Sequence, residues 1–325
     1  DLSTKILSKL KRNLGGQGNY HFFSEKRLLY INKEVKESCN HQNTEGYFFH
    51  GFTPWIKTTM NKPYFCFNDA CFATYVEIYN NKDAFSQKDL KRVFRQEALW
   101  LSRASKVFFR SQWALEETRN HYNLSGENFR NVGVGGFIEI PVQDKYKNGY
   151  NFLFLSREFR PKGGMTAVSA LQIVRKKYPE ANLWIVGQQP PEELLKLEGV
   201  VYKGFFHKNV ESEKNQLIQI FEETFALVHP TLKDTNTLVI TELAYFGCPA
   251  ISTNSFAIPE YLKDRATGLL LTDPRNDGEL AEKMMILIEN TELYSNMRLK
   301  SRENATTNNT WERVGQRIAA EINEV

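Results

Sequence analysis

The sequence predicts an α/β protein with two Rossmann-like domains whose parallel sheets face a central cleft. Three observations support this fold class. The chain has 325 residues, and beyond roughly 250–300 residues a chain usually divides into domains. Short apolar runs alternate with helical stretches after Tyr150. The same alternation, less complete, precedes that residue. Strands that alternate with helices imply right-handed βαβ units and parallel sheets covered on both faces.

The second half shows the alternation most clearly, and it predicts a doubly wound domain over residues 150–310. Its apolar runs are typical of buried parallel strands, and they lie at 151–156, 183–187, 200–204, 225–230, 250–253 and 268–271. Helical spacing is found between them at 164–178, 212–223, 237–246 and 278–290.

The first half predicts a thinner sheet over residues 1–142. We expect strands at 47–50, 64–68, 106–110 and 130–134, and helices at 87–104 and 113–122. Residues 1–46 indicate helices where an opening strand is expected, which suggests that the amino end of this domain is incomplete. The polar, Pro-containing segment 135–149 is the expected linker.

Composition points to a folded protein in a reducing compartment. Hydrophobic residues make up 41% of the chain and charged residues 25%, and no apolar run approaches the roughly 20 residues that cross a bilayer. The four cysteines form no CxxC pair and are too sparse for a disulfide framework. We therefore expect a cytoplasmic location.

Charge is spread unevenly along the chain. Residues 1–150 contain 22 Lys and Arg against 15 Asp and Glu, and residues 151–325 contain 20 against 23. A basic first half is compatible with a plain solvated face, an anionic glycan or an anionic membrane surface. Peripheral membrane docking through Lys88, Lys91 and Arg92 is one hypothesis. No nucleic-acid-binding motif is present, so we expect no nucleic-acid partner.

Ligands of open parallel sheets bind beyond the carboxyl ends of the strands, so we expect the binding residues in the loops there. The first such loop, "REFRPKGGM", places Arg157, Arg160 and Lys162 beside Gly163 and a helix start. Cations and exposed backbone N–H groups at a helix N-terminus form an anion site, most simply for phosphate. The alternative is three solvated surface side chains.

The stretch "LKDTNTLVITELAYFGCPAI", residues 232–251, sets Asp234 and Glu242 eight positions apart around an expected helix start. On one helix this spacing is roughly 12 Å, about the reach from a sugar to a ribose across a diphosphate. N–H groups near Thr237 and Leu238 would face the strand ends. The alternative assigns Asp234 to helix capping and Glu242 to the surface. His229, at the end of the preceding strand, is a candidate phosphate neighbour.

Further elements follow in a fixed order. After Arg157-x4-Lys162-Gly163 comes "LWIVG", which ends at Gly187. Asp234-x7-Glu242 leads into "FGCPAIST", and "IPEYL" and "TGLLL" follow. Over residues 130–325 this order resembles the nucleotide-sugar half of a GT-B glycosyltransferase, in the family-4 retaining group. Asp234 stands where that family usually has Glu. The resemblance also implies that a last helix, 311–325, crosses back to the first domain.

The resemblance implies a set of site residues. "FCFNDACF", residues 65–72, resembles a family loop beside the reacting sugar and nominates one further acid. The implied catalytic residues are Asp69, Arg157, Lys162 and Asp234. The implied donor-binding residues are Arg157, Lys162, Gly187, Phe206, Asp234, Asn236, Thr237, Leu238 and Glu242.

The implied function is transfer of a sugar, with retention, from a nucleotide sugar to a glycan or lipid-linked saccharide in polysaccharide or cell-envelope synthesis. A UDP-sugar is the expected donor. No metal cofactor is expected, because cations and helix amides can carry the diphosphate charge. Two alternatives stay open: a degenerate GT-B protein that binds a nucleotide sugar or glycan without turnover, and a GT-B sugar-nucleotide epimerase or hydrolase. A nicotinamide enzyme is disfavoured, since "GVGG" at 133–136 opens no helix.

Overall fold

The computed structural model describes residues 5–7, 9–10, 17–39 and 44–325. Part of the expectation for residues 1–46 therefore lies outside the described residues. The chain forms two compact units, Asp1–Gly133 with Gly315–Val325, and Val134–Val314. The predicted domain limits of 1–142, 150–310 and 311–325 stay predictions. The observed division falls after Gly133 and within the last helix.

The first unit is a layered α/β structure. Its strands are β1 Tyr47–His50, β2 Tyr64–Asn68, β3 Lys106–Phe109 and β4 Phe129–Asn131. Its α-helices are α1 Glu25–Ser38, α2 Phe72–Tyr79, α3 Gln87–Arg103 and α4 Gln112–Tyr122. Single 3₁₀ turns lie at His21–Phe23, Thr53–Trp55 and Lys82–Ala84. The strands pair in the order β1-β2-β3-β4, all parallel, as the sequence predicts.

The second unit contains six strands, β5 Asn151–Ser156, β6 Asn182–Gly187, β7 Val200–Gly204, β8 Ala226–His229, β9 Ala250–Thr253 and β10 Gly268–Leu271. Its helices are α5 Gly164–Arg175, α6 Glu192–Leu195, α7 Glu211–Glu222, α8 Leu238–Tyr245, α9 Ile258–Tyr261, α10 Asp277–Glu289, α11 Thr291–Asn308 and the start of α12 Trp311–Ile322. The α/β fold with two parallel sheets is thus confirmed.

The six-stranded sheet has the order β10-β9-β8-β5-β6-β7. Its strands run parallel, and Leu153 of β5 pairs with Leu227 of β8. The chain adds strands first on one side of β5 and then on the other. This is the doubly wound order, and its topological switch point lies between β5 and β8. Every residue of β8 is buried, since helices cover both faces of such a sheet.

Each unit has its own apolar core. In the first, Leu28, Val76, Trp100, Val107 and Phe109 are buried together. In the second, the buried cluster includes Phe152, Leu171, Ile185, Ile251 and Met284. Among the described residues, no helix is both long and apolar enough to pass through a lipid bilayer.

A buried carboxylate organises the first unit. Glu97, fully buried on α3, accepts hydrogen bonds from the Thr53 hydroxyl (2.6 Å), the Phe72 N–H (2.7 Å) and the Tyr122 hydroxyl. The same Tyr122 oxygen accepts from the N–H of Ala73. The first turn of α2 is thereby capped by side chains from two other helices, which satisfies amides that helix starts leave unpaired.

Candidate functional site

Five of the nine predicted donor-binding residues line one cavity at the carboxyl edge of the second sheet. A cavity of about 520 Å³ opens there beside the ends of β5, β6 and β7 and the start of α8. Among the predicted residues, its wall includes Arg157, Gly187, Phe206, Leu238 and Glu242. The structure therefore brings together residues up to 85 positions apart in the chain, as expected for loops at one carboxyl edge.

The loop after β5 is held against the loop after β8. Gly163 has φ +84°, and a Cβ there would lie 2.0 Å from the carbonyl oxygen of Pro230, so only glycine fits. Lys162 extends from this contact and donates to the Lys233 carbonyl at 2.5 Å. Its Nζ lies 2.9 Å from Asp234 Oδ2. Arg157, in contrast, is exposed on the cavity wall.

Asp234 is a buried anion with fixed partners. Besides Lys162, the ring of His229 faces it, with Nε2 3.6 Å from Oδ2. Burial by itself raises the pKa of Asp234, but the His229 ring and the Lys162 ammonium outweigh that effect and hold the pKa well below its ordinary value of 3.8. Asp234 is therefore ionised throughout the neutral and mildly acidic range.

The expectation that Asp234 and Glu242 share one helix is wrong. Helix α8 begins only at Leu238, and Asp234 Oδ1 instead accepts the N–H of Asn236 at 3.0 Å. A short Asp side chain readily bonds the backbone two residues on, which forms a turn in place of helix. The roughly 12 Å spacing inferred from helical rise consequently does not apply.

Several buried polar atoms at the end of β8 and just before α8 have no hydrogen-bond partner among the described residues. Thr237, 3% exposed, is the N-cap residue. Within the described part of the chain, neither its Oγ1 nor the side-chain amide of Asn236 nor either ring nitrogen of His229 makes a hydrogen bond. Buried polar groups are nearly always hydrogen-bonded, so this cluster has the character of a ligand site. The N–H of Leu238, predicted to be available, donates to the Asn236 carbonyl at 3.1 Å.

Glu242 lines the cavity and is 2% exposed. Its Oε1 accepts the backbone N–H of Phe137 at 2.9 Å. The ammonium of Lys208 contacts both carboxylate oxygens, at 2.5 and 2.6 Å. The alternative that places Glu242 on the surface is therefore wrong. On the next turn of α8, the Tyr245 hydroxyl accepts the N–H of Gly136 at 2.8 Å.

Sequence reasoning missed Phe137 and Lys208. Phe137 contributes through its main chain, which leaves no signature in the sequence. Lys208 follows the end of β7, and its place in a strand-end loop is the one signal that could have identified it.

Two further predicted residues sit at strand ends. Gly187 ends β6 with φ +106°, and a Cβ there would lie 2.0 Å from the Ser156 carbonyl oxygen, so the backbone needs glycine. Asp69 is half-buried directly after β2 in the first unit, where Asn68 donates to the Ala70 carbonyl at 2.8 Å. In the described ranges, no group of three or more His, Cys, Asp or Glu side chains is arranged to hold a metal ion.

Comparison with known proteins gives a consistent picture. Residues 138–304, just over half of the chain, match the family model described as glycosyl transferases group 1. An uncharacterised glycosyltransferase of Haemophilus influenzae is 29% identical over 144 residues, or 44% of this chain and 41% of that protein. The lipopolysaccharide glucosyltransferase WaaG of Escherichia coli is 20% identical over 206 residues, or 58% and 54%. These matches span less than two thirds of either relative.

Solved structures agree at the level of the fold. The crystal structure of Anabaena HepE in complex with UDP superimposes with a TM-score of 0.69 at 17% identity, covering 91% of this chain and 82% of that one. At this identity the likeness concerns the fold alone.

Proposed function

Because the chain belongs to the glycosyl transferases group 1 family, we propose that it is a retaining, family-4-like hexosyltransferase. In this proposal it transfers a sugar from a nucleotide sugar to a glycan or lipid-linked saccharide in polysaccharide or cell-envelope synthesis. A UDP-sugar is the proposed donor, in keeping with the UDP bound by the similar HepE structure. The similarity to WaaG favours an acceptor of the cell envelope.

The observation that carries this proposal is the unpaired polar cluster at the start of α8. Asn236 and Thr237, two and three residues after Asp234, present buried, unsatisfied groups, and Lys162 pairs with Asp234 itself. Hydroxyl and amide donors, together with positive charge at a helix N-terminus, match the oxygens of a diphosphate. Glu242, which lines the same cavity as Arg157, has the acceptor oxygens that ribose hydroxyls need.

Charge development explains why such a site would accelerate transfer. Cleavage of the anomeric bond leaves negative charge on the departing diphosphate, and donors placed beforehand around that position stabilise it in the transition state. Arg157 and Lys162 fit this role without a metal, so we propose that the reaction is metal-independent. Asp234, ionised and held by Lys162, would accept hydroxyls of the donor sugar.

The acceptor step completes the proposal. Retention of configuration would follow from attack on the face that the diphosphate leaves, with a phosphate oxygen taking the acceptor proton. Asp69, at the carboxyl edge of the first sheet, would orient the acceptor.

We further propose a cytoplasmic location, peripheral to the membrane. All four cysteines are free, which suits a reducing compartment.

Calorimetric titration with UDP, GDP and ADP in the presence of EDTA tests the donor site. We expect one nucleotide to bind the unaltered protein and the Glu242→Ala variant to bind it at least roughly tenfold more weakly, since a charged hydrogen-bond acceptor is removed. Glu222→Ala is the matched control, because that carboxylate pairs with Lys145 outside the cavity. Absence of binding by folded protein would reject the proposal.

Turnover is tested separately from binding. Incubation with UDP-glucose, UDP-N-acetylglucosamine and UDP-galactose should release UDP slowly from one of them, with water as the acceptor. Nucleotide binding with no release from any sugar nucleotide, with or without an added glycan, would favour the binding-protein alternative. Interconversion of the sugars without release would instead indicate an epimerase.

A further inference from the structure

The carboxylate of Glu242 is nearly saturated with hydrogen-bond donors. A carboxylate offers about four acceptor positions, two on each oxygen. The Phe137 N–H and the Lys208 ammonium both occupy Oε1, and Lys208 also occupies Oε2. One position, on Oε2, is left. A ribose diol brings two hydroxyl donors, so it cannot bind Glu242 in the proposed manner while Lys208 keeps both contacts.

We propose that Lys208 is a specificity-determining residue. Its ion pair with Glu242 prevents uncharged nucleosides from binding this carboxylate, and Lys208 releases Glu242 when a nucleoside diphosphate binds. The proposal rests on the proposed function, since it takes Glu242 as the ribose-binding acid. Phe137 donates through its backbone and stays in place when the ligand enters. Lys208 is the mobile partner, because its side chain is 34% exposed whereas that of Glu242 is 2% exposed.

The phosphates of the ligand decide whether the exchange is favourable. Lys208 lines the same cavity as Arg157, and its charge sits on a flexible four-carbon stem that can turn to a new anion. A nucleoside diphosphate supplies such an anion as its ribose takes over Glu242. An uncharged nucleoside also has to displace Lys208 from Glu242, but it offers the lysine no anion in exchange and forms only hydroxyl contacts with the carboxylate. The ion pair therefore selects for phosphorylated ligands.

The test compares uridine with UDP on the unaltered protein and on Lys208→Met. Removal of the lysine frees one acceptor position on each oxygen of Glu242, while the Phe137 N–H stays on Oε1, and it leaves a buried acid that needs donors. We expect uridine to bind roughly tenfold or more tightly to the variant, on the scale of one hydrogen bond to a charged group. In the variant, UDP no longer has to displace Lys208 from Glu242, but it also loses a cation near its phosphates. The ratio of UDP affinity to uridine affinity should therefore fall by at least about tenfold.

Two control variants keep the experiment decisive. Lys203→Met removes the same charge from the adjacent strand β7, where the ammonium lies over the Trp184 ring at 3.9 Å, and we expect it to leave both affinities unchanged. Lys208→Arg retains the cation and should preserve selection against uridine even if the Met variant folds poorly.

Three results would overturn the inference: unchanged or weaker uridine binding by folded Lys208→Met, an unchanged affinity ratio, or loss of selection in Lys208→Arg. Each of these results is distinct from failure of the proposed function, which would appear as no binding of UDP, GDP or ADP by the unaltered protein. That result would overturn the inference as well.

Discussion

Arg298 and Asp144 form a two-pronged ion pair, with Nε 2.7 Å from Oδ2 and Nη2 2.6 Å from Oδ1. Asp144 belongs to the segment that the sequence presents as a linker, and Arg298 lies on α11. The guanidinium also donates to the Phe246 carbonyl and packs over the Tyr146 ring. The segment around Asp144 is thus held against α11 within the second unit.

Replacement of Asp144 by Ala should destabilise the second unit by about 3 kcal/mol, because it leaves a largely buried guanidinium without its counter-ion. Urea unfolding followed by tryptophan fluorescence measures the loss. Lys145→Ala is the control at the next position. Its side chain is more than half exposed and pairs with Glu222, so we expect a change within about 0.5 kcal/mol. Equal effects of the two variants would contradict the assigned role of the pair.

Thr237→Val should separate binding from stability. The hydroxyl of Thr237 is buried and, among the described residues, has no hydrogen-bond partner. Its replacement by a methyl group should therefore leave stability unchanged or slightly raised. UDP affinity should fall roughly tenfold if the hydroxyl binds a phosphate oxygen.

The matched variant for this test is Thr224→Val. Its buried hydroxyl donates to the Ile220 carbonyl at 2.7 Å, so we expect a loss of about 1 kcal/mol of stability and no change in UDP affinity. A Thr237→Val protein that is destabilised and binds UDP normally would remove Thr237 from the site.

The lowered pKa of Asp234 predicts that the free energy of unfolding decreases at acidic pH. Its pKa in the folded protein lies below the ordinary value of 3.8. The ionised form is therefore favoured by folding, and its contribution is present above 3.8 and lost as pH falls through the folded-state pKa. The unfolding free energy of the unaltered protein should exceed that of Asp234→Asn by about 3 kcal/mol near neutrality. This difference should narrow below about pH 4. A difference that widens on acidification would contradict the assignment.

Membrane docking is best tested with residues that the structure shows to be exposed. Lys88, Lys91 and Arg95 are exposed along α3. Arg92, which the sequence nominated, bonds Asp89 and Glu25. Reversal of Lys88, Lys91 and Arg95 to Glu should abolish most binding to anionic vesicles, as each basic residue near such a surface contributes about 1 kcal/mol.

Vesicles of neutral lipid provide the control for this experiment, and neither protein should bind them appreciably. Arg92→Glu should instead lower stability through its lost ion pairs. If the unaltered protein ignores anionic vesicles at low salt, the docking hypothesis is wrong.

The sequence predicts the sheets of this protein better than its helices and its site contacts. Buried parallel strands such as β8 are continuous apolar runs that are bounded by polar loops, so their positions can be recognised from the sequence alone. Helix α2 was missed because "FATYVEIY" is rich in aromatic and β-branched residues that favour strands. Its helical form depends on capping by Glu97, which is 25 residues from Phe72 in the chain.

The same limit applies to the site. Glycines and cations in the strand-end loops could be nominated from their neighbours in the sequence. The bond from Lys208 to Glu242 joins residues 34 positions apart, and no local pattern encodes it. The turn at Asp234 also depends on side chains that arrive from β8 and from the loop after β5.

The buried Glu97 also connects two segments of the first unit that are distant in the sequence. A single carboxylate binds both Thr53, after β1, and Phe72, at the start of α2, so it ties these two segments together. Amide hydrogen exchange at Phe72 requires the release of its bond to the buried Glu97, so we expect this exchange to be slow. Whatever adaptability the carboxyl edge of this sheet has must come from its remaining loops.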